Sequence, residues 1–226
     1  MVTHCPPLID GAVLAQGYSK TETEAVLARY HIPLPFALYP ASTTHTHKNH
    51  TRLLLAWAIL KGRLGTRCPA LVCTARGHLW PALRALIEAL GLQGSVVFTD
   101  TVDTATLARL YQSCAFVIVP TVYEGGGSGP VVEACLAGKP VLCSRIPQIE
   151  EQIHYYGLDS GQRSARFFPA DSVDGIVDAT ERVIDKLSEL EFTAREDQRR
   201  VLPLVPRLWE EWARFYAKQI RGMVTD

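Results

Sequence analysis

The chain has 226 residues, 47% of them hydrophobic, and its 23 basic and 23 acidic side chains leave a formal net charge of zero. That length buries the core of one main domain, and the charge balance excludes a surface-wide attraction to nucleic acid. No basic opening leads into an apolar run, and no segment approaches the roughly 20 apolar residues of a membrane span. A cytoplasmic protein is expected, in contact with membranes at most peripherally.

Residues 1–35 hold Pro6, Pro7, Pro33 and Pro35 around a single helical pattern at 21–30, which reads as a linker, the remnant of a connection to a preceding domain. From residue 36 to residue 190, short apolar runs alternate with stretches at helical spacing. The runs at 36–39, 70–74, 95–99, 115–120 and 141–144 predict strands. Between them, 52–60 and 104–111 predict short helices, and Leu79, Leu83, Leu86, Ile87 and Leu90 predict a longer one ended by Gly91. Val173, Ile176, Val177, Val183, Ile184, Leu187 and Leu190 predict one long amphipathic helix. The alternation implies an α/β fold, a Rossmann-like parallel sheet with helices on both faces. Residues 191–226 form a C-terminal helical extension, with Leu204, Leu208, Trp212, Phe215 and Tyr216 on one stripe and Trp209 beside it. That aromatic stripe reads as core or as an interface with a missing domain.

Six cysteines (Cys5, Cys68, Cys73, Cys114, Cys135 and Cys143) show no C-x-x-C spacing, and the last four lie in or beside apolar runs. They are expected as small buried hydrophobes in a reducing compartment.

The segment that carries chemistry joins the 115–120 strand to a helix through a glycine-rich turn, EGGGSGPVVEA from Glu124 to Ala134. Ligands of parallel sheets bind at such carboxyl edges. Consecutive glycines let backbone N–H groups approach a ligand, and Ser128 followed by Pro130 suits a helix cap and first turn whose N–H groups accept negative charge. Glu124 before the turn and Glu133 in the second helical turn supply carboxylates suited to sugar diols. On spacing alone, the competing reading is a plain strand-to-helix turn with two solvated glutamates.

This segment, with Ala137-Gly138-Lys139-Pro140-Val141 after it, resembles the motif E-G-x-G-x-P-x-x-E-A of the retaining glycosyltransferases of family 4. It departs by one added residue, since eight positions separate the two glutamates where the family has seven. Upstream, His47-Lys48-Asn49 is similar to the family's H-K-N turn, although the arginine that many relatives carry just before it is missing from 42–46. The region of Thr101 and Val102 and the stretch after Arg145 resemble the family more loosely, and the likeness covers about residues 36–188.

The resemblance implies the C-terminal, donor-binding half of a GT-B fold of two facing Rossmann-like domains. It implies a nucleoside diphosphate sugar as donor and a hydroxyl acceptor such as a glycan or lipid-linked sugar. Hexose transfer would retain the anomeric configuration and require no metal or other cofactor. By the same resemblance, Glu124 and Lys48 are catalytic; Glu124, Gly125, Gly126, Gly127 and Ser128 meet the donor sugar. Glu133 meets the ribose, Lys48, Ser128 and Gly129 the diphosphate, and Thr101 and Val102 the base. An acceptor-binding domain is expected from elsewhere, either a preceding N-terminal domain or a partner chain. Two other classes compete: a noncatalytic nucleotide-sugar-binding module, and a metal-dependent hydrolase with zinc on His45, His47 and His50.

Overall fold

A computed structural model of the chain describes residues 11–74, 81–158 and 164–224. Its strands are β1 (Phe36–Tyr39), β2 (Ala70–Cys73), β3 (Val96–Phe98), β4 (Phe116–Val119), β5 (Val141–Ser144) and β6 (Ala165–Phe168). β1, β2, β4 and β5 are buried at every position. Their continuous apolar sequences therefore belong to a sheet covered on both faces. All pairs are parallel, in the order β3-β2-β1-β4-β5-β6, and Leu38 of β1 lies between Val72 and Val117.

The chain steps outward from β1 to β3, crosses back to β4 beside β1, and steps outward again to β6. Right-handed crossovers in opposite directions put their helices on opposite faces, and the connections leaving the carboxyl ends of the paired strands β1 and β4 diverge, which makes a crevice above them. α3 (His50–Leu64) packs against α4 (Pro81–Ala89) and α8 (Val173–Asp185). α5 (Thr104–Ser113) and α6 (Gly129–Leu136) are covered by α1 (Gly11–Ala15), α2 (Lys20–Arg29) and α9 (Leu187–Val201). α7 (Pro147–Tyr155) joins β5 to β6, and α10 (Leu204–Val224) ends the described chain. Trp57, Tyr39, Tyr111, Phe36 and Phe116 are the largest fully buried side chains, and Trp57 donates its indole N–H to the Pro69 carbonyl at 2.9 Å.

Several boundaries differ from the sequence expectations. β6 was not foreseen, because Ala-Arg-Phe-Phe is short and its first three residues are only half-buried at the sheet edge. The single helix expected over 173–190 is two, since Lys186 leaves helical geometry at φ −112°, ψ 18°. As a result 190 and 191 lie together inside α9, whose Leu190, Ala194 and Val201 are core. Ahead of β1, Leu14, Leu27 and Ile32 join the same core, and α2 starts with a capping box of Ser19 and Glu22. Pro206 falls within the first turn of α10, where proline is tolerated. Leu79, Cys5, Pro6 and Pro7 lie outside the described residues.

Cys73, Cys114, Cys135 and Cys143 are buried free thiols. Desolvation pushes each one's pKa up, that of Cys114 to about 12, so they behave as small hydrophobes. Among the described residues no helix is long and apolar enough to cross a membrane.

Candidate functional site

The crevice between the ends of β1 and β4 is built from two loops. After β1 a single 3₁₀ turn, Thr46–Lys48, leads into α3, and after β4 the chain runs through the glycine turn into α6. Backbone and side-chain bonds lock the two loops together. Val122 N–H donates to the His47 carbonyl at 2.8 Å, and the buried Thr121 hydroxyl lies within 3.2 Å of the same oxygen and 2.9 Å of the Tyr123 carbonyl. The Tyr39 hydroxyl donates to the Lys48 carbonyl at 2.7 Å. On this frame Lys48 Nζ meets Glu124 Oε1 at 2.6 Å, with the two side chains 21% and 11% exposed. A charge-assisted contact this short and this sheltered is screened far less than a surface pair.

Asn49 is the residue that reasoning from sequence passed over. It is buried in the left-handed conformation at φ 63°, and it starts α3 without capping it through its side chain. Instead Nδ2 donates to the carbonyls of Pro120, at 2.9 Å, and Ala170, at 3.0 Å, while Oδ1 accepts from Arg52 at 3.0 Å. Asparagine tolerates this backbone, and its amide ties the turn bearing Lys48 to the end of β4 and to the loop before α8.

In the glycine turn the three consecutive glycines differ. A Cβ on Gly125 or Gly126 would meet nothing within 4 Å, whereas Gly127 has φ 97° and a Cβ there would lie 2.9 Å from Gln152. Gln152, buried on α7, accepts the Ser128 N–H at 2.9 Å. Ser128 holds the N-cap position of α6, but it makes no side-chain cap bond, and its buried Oγ has no partner among the described residues. The cap expected of its hydroxyl is therefore absent, and Gln152, another residue not foreseen, anchors its amide instead.

Glu133 points back along its helix, as helical side chains do, so that Oε1 would lie 3.4 Å from a Cβ on Gly129. It is 5% exposed, and Oε2 accepts from the Tyr111 hydroxyl at 2.6 Å. Burial raises its pKa above the ordinary 4.5, with the Tyr111 hydrogen bond opposing the rise. Thr101 and Val102 follow β3 on the same carboxyl edge, just before Asp103 caps α5 by accepting the Thr106 N–H at 2.7 Å. β3 is two strands from β1, about 10 Å at ordinary strand spacing, so the edge offers a track from the charged pair toward that loop. The structure thus brings Lys48 and Glu124 into contact, sets Glu133 in the second turn of α6, and puts Thr101 and Val102 in the loop after β3, two strands from β1.

A family model described as "Glycosyl transferases group 1" matches residues 35–186, about two-thirds of the chain. The chain belongs to that family. It is 30% identical over 141 residues to the O-antigen chain mannosyltransferase B of Escherichia coli, a match covering 62% of this chain and 36% of that relative. The chain therefore spans about a third of the relative's length. Among solved structures, Anabaena Alr3699/HepE in complex with UDP and glucose superposes with a TM-score of 0.71 at 17% identity, covering 93% of this chain and 55% of that one. The C-terminal domain of the group 1 family protein LpcC from Francisella tularensis superposes at 0.66 and 16% identity, covering 85% of this chain and 96% of that one. These likenesses show the fold, that of the C-terminal half of a GT-B glycosyltransferase.

Within this group 1 domain the three rings of the histidine-rich turn do not converge on one point. The ring of His50 is buried beside Tyr39, 4.7 Å between centroids, and burial pushes its pKa down to about 4, with the Lys48 ammonium adding to the effect. His45 and His47 stack on each other at 5.4 Å. Among the described residues no group of three histidine, cysteine or carboxylate side chains is placed to hold a metal. Sequence spacing suggested convergence, but Asn49 turns the backbone between His47 and His50 and sends their rings to different surroundings.

Proposed function

We propose that this chain is the donor-binding half of a retaining hexosyltransferase, taking a sugar from a nucleoside diphosphate and passing it to a hydroxyl acceptor held largely by another domain. The observation that carries the reading is the 2.6 Å contact of Lys48 with Glu124 at the switch point of the sheet. One N–H of the ammonium meets Glu124, which leaves two for the oxygens of a departing diphosphate. Charge appearing on that diphosphate as the glycosidic bond breaks is met by a fixed cation in a sheltered site, which lowers the barrier. Glu124 orients the donor hexose, and the open space at Gly125 and Gly126 admits it close to the backbone. Gly127 and Ser128 shape the turn around that sugar. The Ser128 hydroxyl and the amide of Gly129, at the positive end of α6, face the diphosphate.

Glu133 takes the ribose diol, and the loop of Thr101 and Val102 takes the base. The transition state is oxocarbenium-like, and the acceptor's proton leaves with the diphosphate, so the scheme needs no protein base and no metal. The named mannosyltransferase relative and the UDP complex of the Anabaena structure support a nucleotide-sugar donor.

Isothermal titration of the chain with UDP-, GDP- and ADP-sugars tests the reading. One of them binds weakly, with a Kd on the order of 1 mM or about −4 kcal/mol, because half of the cleft is supplied elsewhere. Lack of heat with all three would overturn it.

A further inference from the structure

The residues just ahead of the charged pair carry rings that the donor scheme leaves unused. His47 precedes Lys48, Tyr123 precedes Glu124, and the rings meet as the charges do, with centroids 4.4 Å apart and planes tilted by 33°. His45 extends the set, stacked on His47 at 5.4 Å and 28°. The backbone beneath is stiff, since the His47 carbonyl accepts from Val122 N–H, and the Thr121 hydroxyl bridges toward the carbonyls of both His47 and Tyr123. Yet Tyr123 is 57% exposed. Rings fixed in place and left open to solvent make a preorganised surface, because a ligand settling there costs little further ordering of the protein. Burial, and after it the Lys48 ammonium, lower the pKa of His47, so its ring is neutral near pH 7 and backs Tyr123 without adding a charge.

A pyranose has an apolar C–H face that stacks on such rings and a hydroxyl rim that reaches polar neighbours. We propose that the face of Tyr123 turned away from His47, with His47 and His45 backing the ring, forms an acceptor subsite on which a hexose lays its C–H face with one hydroxyl turned toward the Lys48–Glu124 pair. The proposal rests on the donor reading above. In this proposal the donor occupies the glycine-turn side of Glu124 and the acceptor the Tyr123 side.

Saturation-transfer NMR with methyl α-D-mannopyranoside, recorded alone and with excess UDP-glucose or GDP-mannose, tests it. Transfer to the ring C–H protons persists when the nucleotide sugar is present. It falls about fivefold in Tyr123→Ala, as expected for loss of an aromatic contact, and is retained in Tyr123→Phe. Tyr123 is exposed, so circular dichroism of the alanine variant remains that of the parent. Undiminished transfer in Tyr123→Ala overturns the subsite, and so does loss of transfer on adding a nucleotide sugar, which would put the glycoside in the donor's place. Nucleotide-sugar binding by calorimetry with no glycoside signal removes the acceptor subsite and leaves the donor reading intact. Silence in both measurements removes both.

Discussion

The two glutamates that flank the glycine turn are held by opposite means. Glu124 lies against a cation from another loop, in a spot that still sees some water. Glu133 is more deeply buried and has a neutral partner, the phenol of the fully buried Tyr111. A carboxylate beside an ammonium is compensated where it stands, whereas one beside a phenol bears much of its desolvation cost, which is why burial raises the Glu133 pKa. One motif thus holds its two carboxylates in two ways, one compensated by a cation from a second loop and one buried in α6 against a neutral hydroxyl.

Removing the cation breaks the comparison most severely. Lys48→Ala leaves Glu124 without its partner and, under the proposed function, the diphosphate without its countercharge. Nucleotide-sugar turnover should fall by roughly 10²–10³, the cost of deleting one preorganised electrostatic group. A rate within threefold of the parent would dismiss Lys48 from the chemistry.

The second change sharpens the contrast on the Glu133 side. Tyr111→Phe strips the buried carboxylate of its hydroxyl donor and should cost about 1–3 kcal/mol in urea denaturation at pH 7. Because the folded-state pKa of Glu133 is raised above its ordinary 4.5, its contribution to stability is full below that value and drains away as pH rises through the folded-state pKa. The Tyr111 bond limits that rise, so the variant's deficit relative to the parent should grow from acid toward neutral pH. Glu133→Gln in the Tyr111→Phe background should flatten the growth; a deficit that stays constant with pH would assign the effect to packing instead.

The smallest effect separates neighbours in the turn. Gly126→Ala should leave stability within about 0.5 kcal/mol, as substitutions in open space do, and weaken donor binding severalfold by calorimetry. Gly127→Ala should cost about 1–3 kcal/mol for its positive φ alone, with the crowding against Gln152 adding to it. Equal thermal shifts in the two variants would contradict the distinction.

Much of this was legible in the chain itself. Four-residue apolar runs such as Phe36–Tyr39 and Val141–Ser144 mark buried parallel strands because no alternation is needed where both faces are covered. EGGGSGP reads as a strand-to-helix turn because glycine, serine and proline each have a local preference that acts within a few residues. Asn49 and Gln152 were not legible. Each works by reaching groups far along the chain, from Asn49 to Pro120 and Ala170, and from Gln152 to Ser128, and nothing in the local pattern records a partner 24 to 121 positions away. The histidine spacing misled for the complementary reason, since one left-handed residue between His47 and His50 undoes the convergence that counting suggests.

Period and local backbone preference, read from the sequence, are enough for the alternating strands and helices, for the glycine turn, and for placing Lys48 and Glu124 in loops after strands and Glu133 in the helix that follows. The tertiary structure alone decided that β4 returns beside β1, that Lys48 and Glu124 touch across 76 positions of chain, and that the rings of His47 and Tyr123 meet. Those outcomes depend on which loops the order of strands in the open sheet brings to one edge, and long-range packing sets that order.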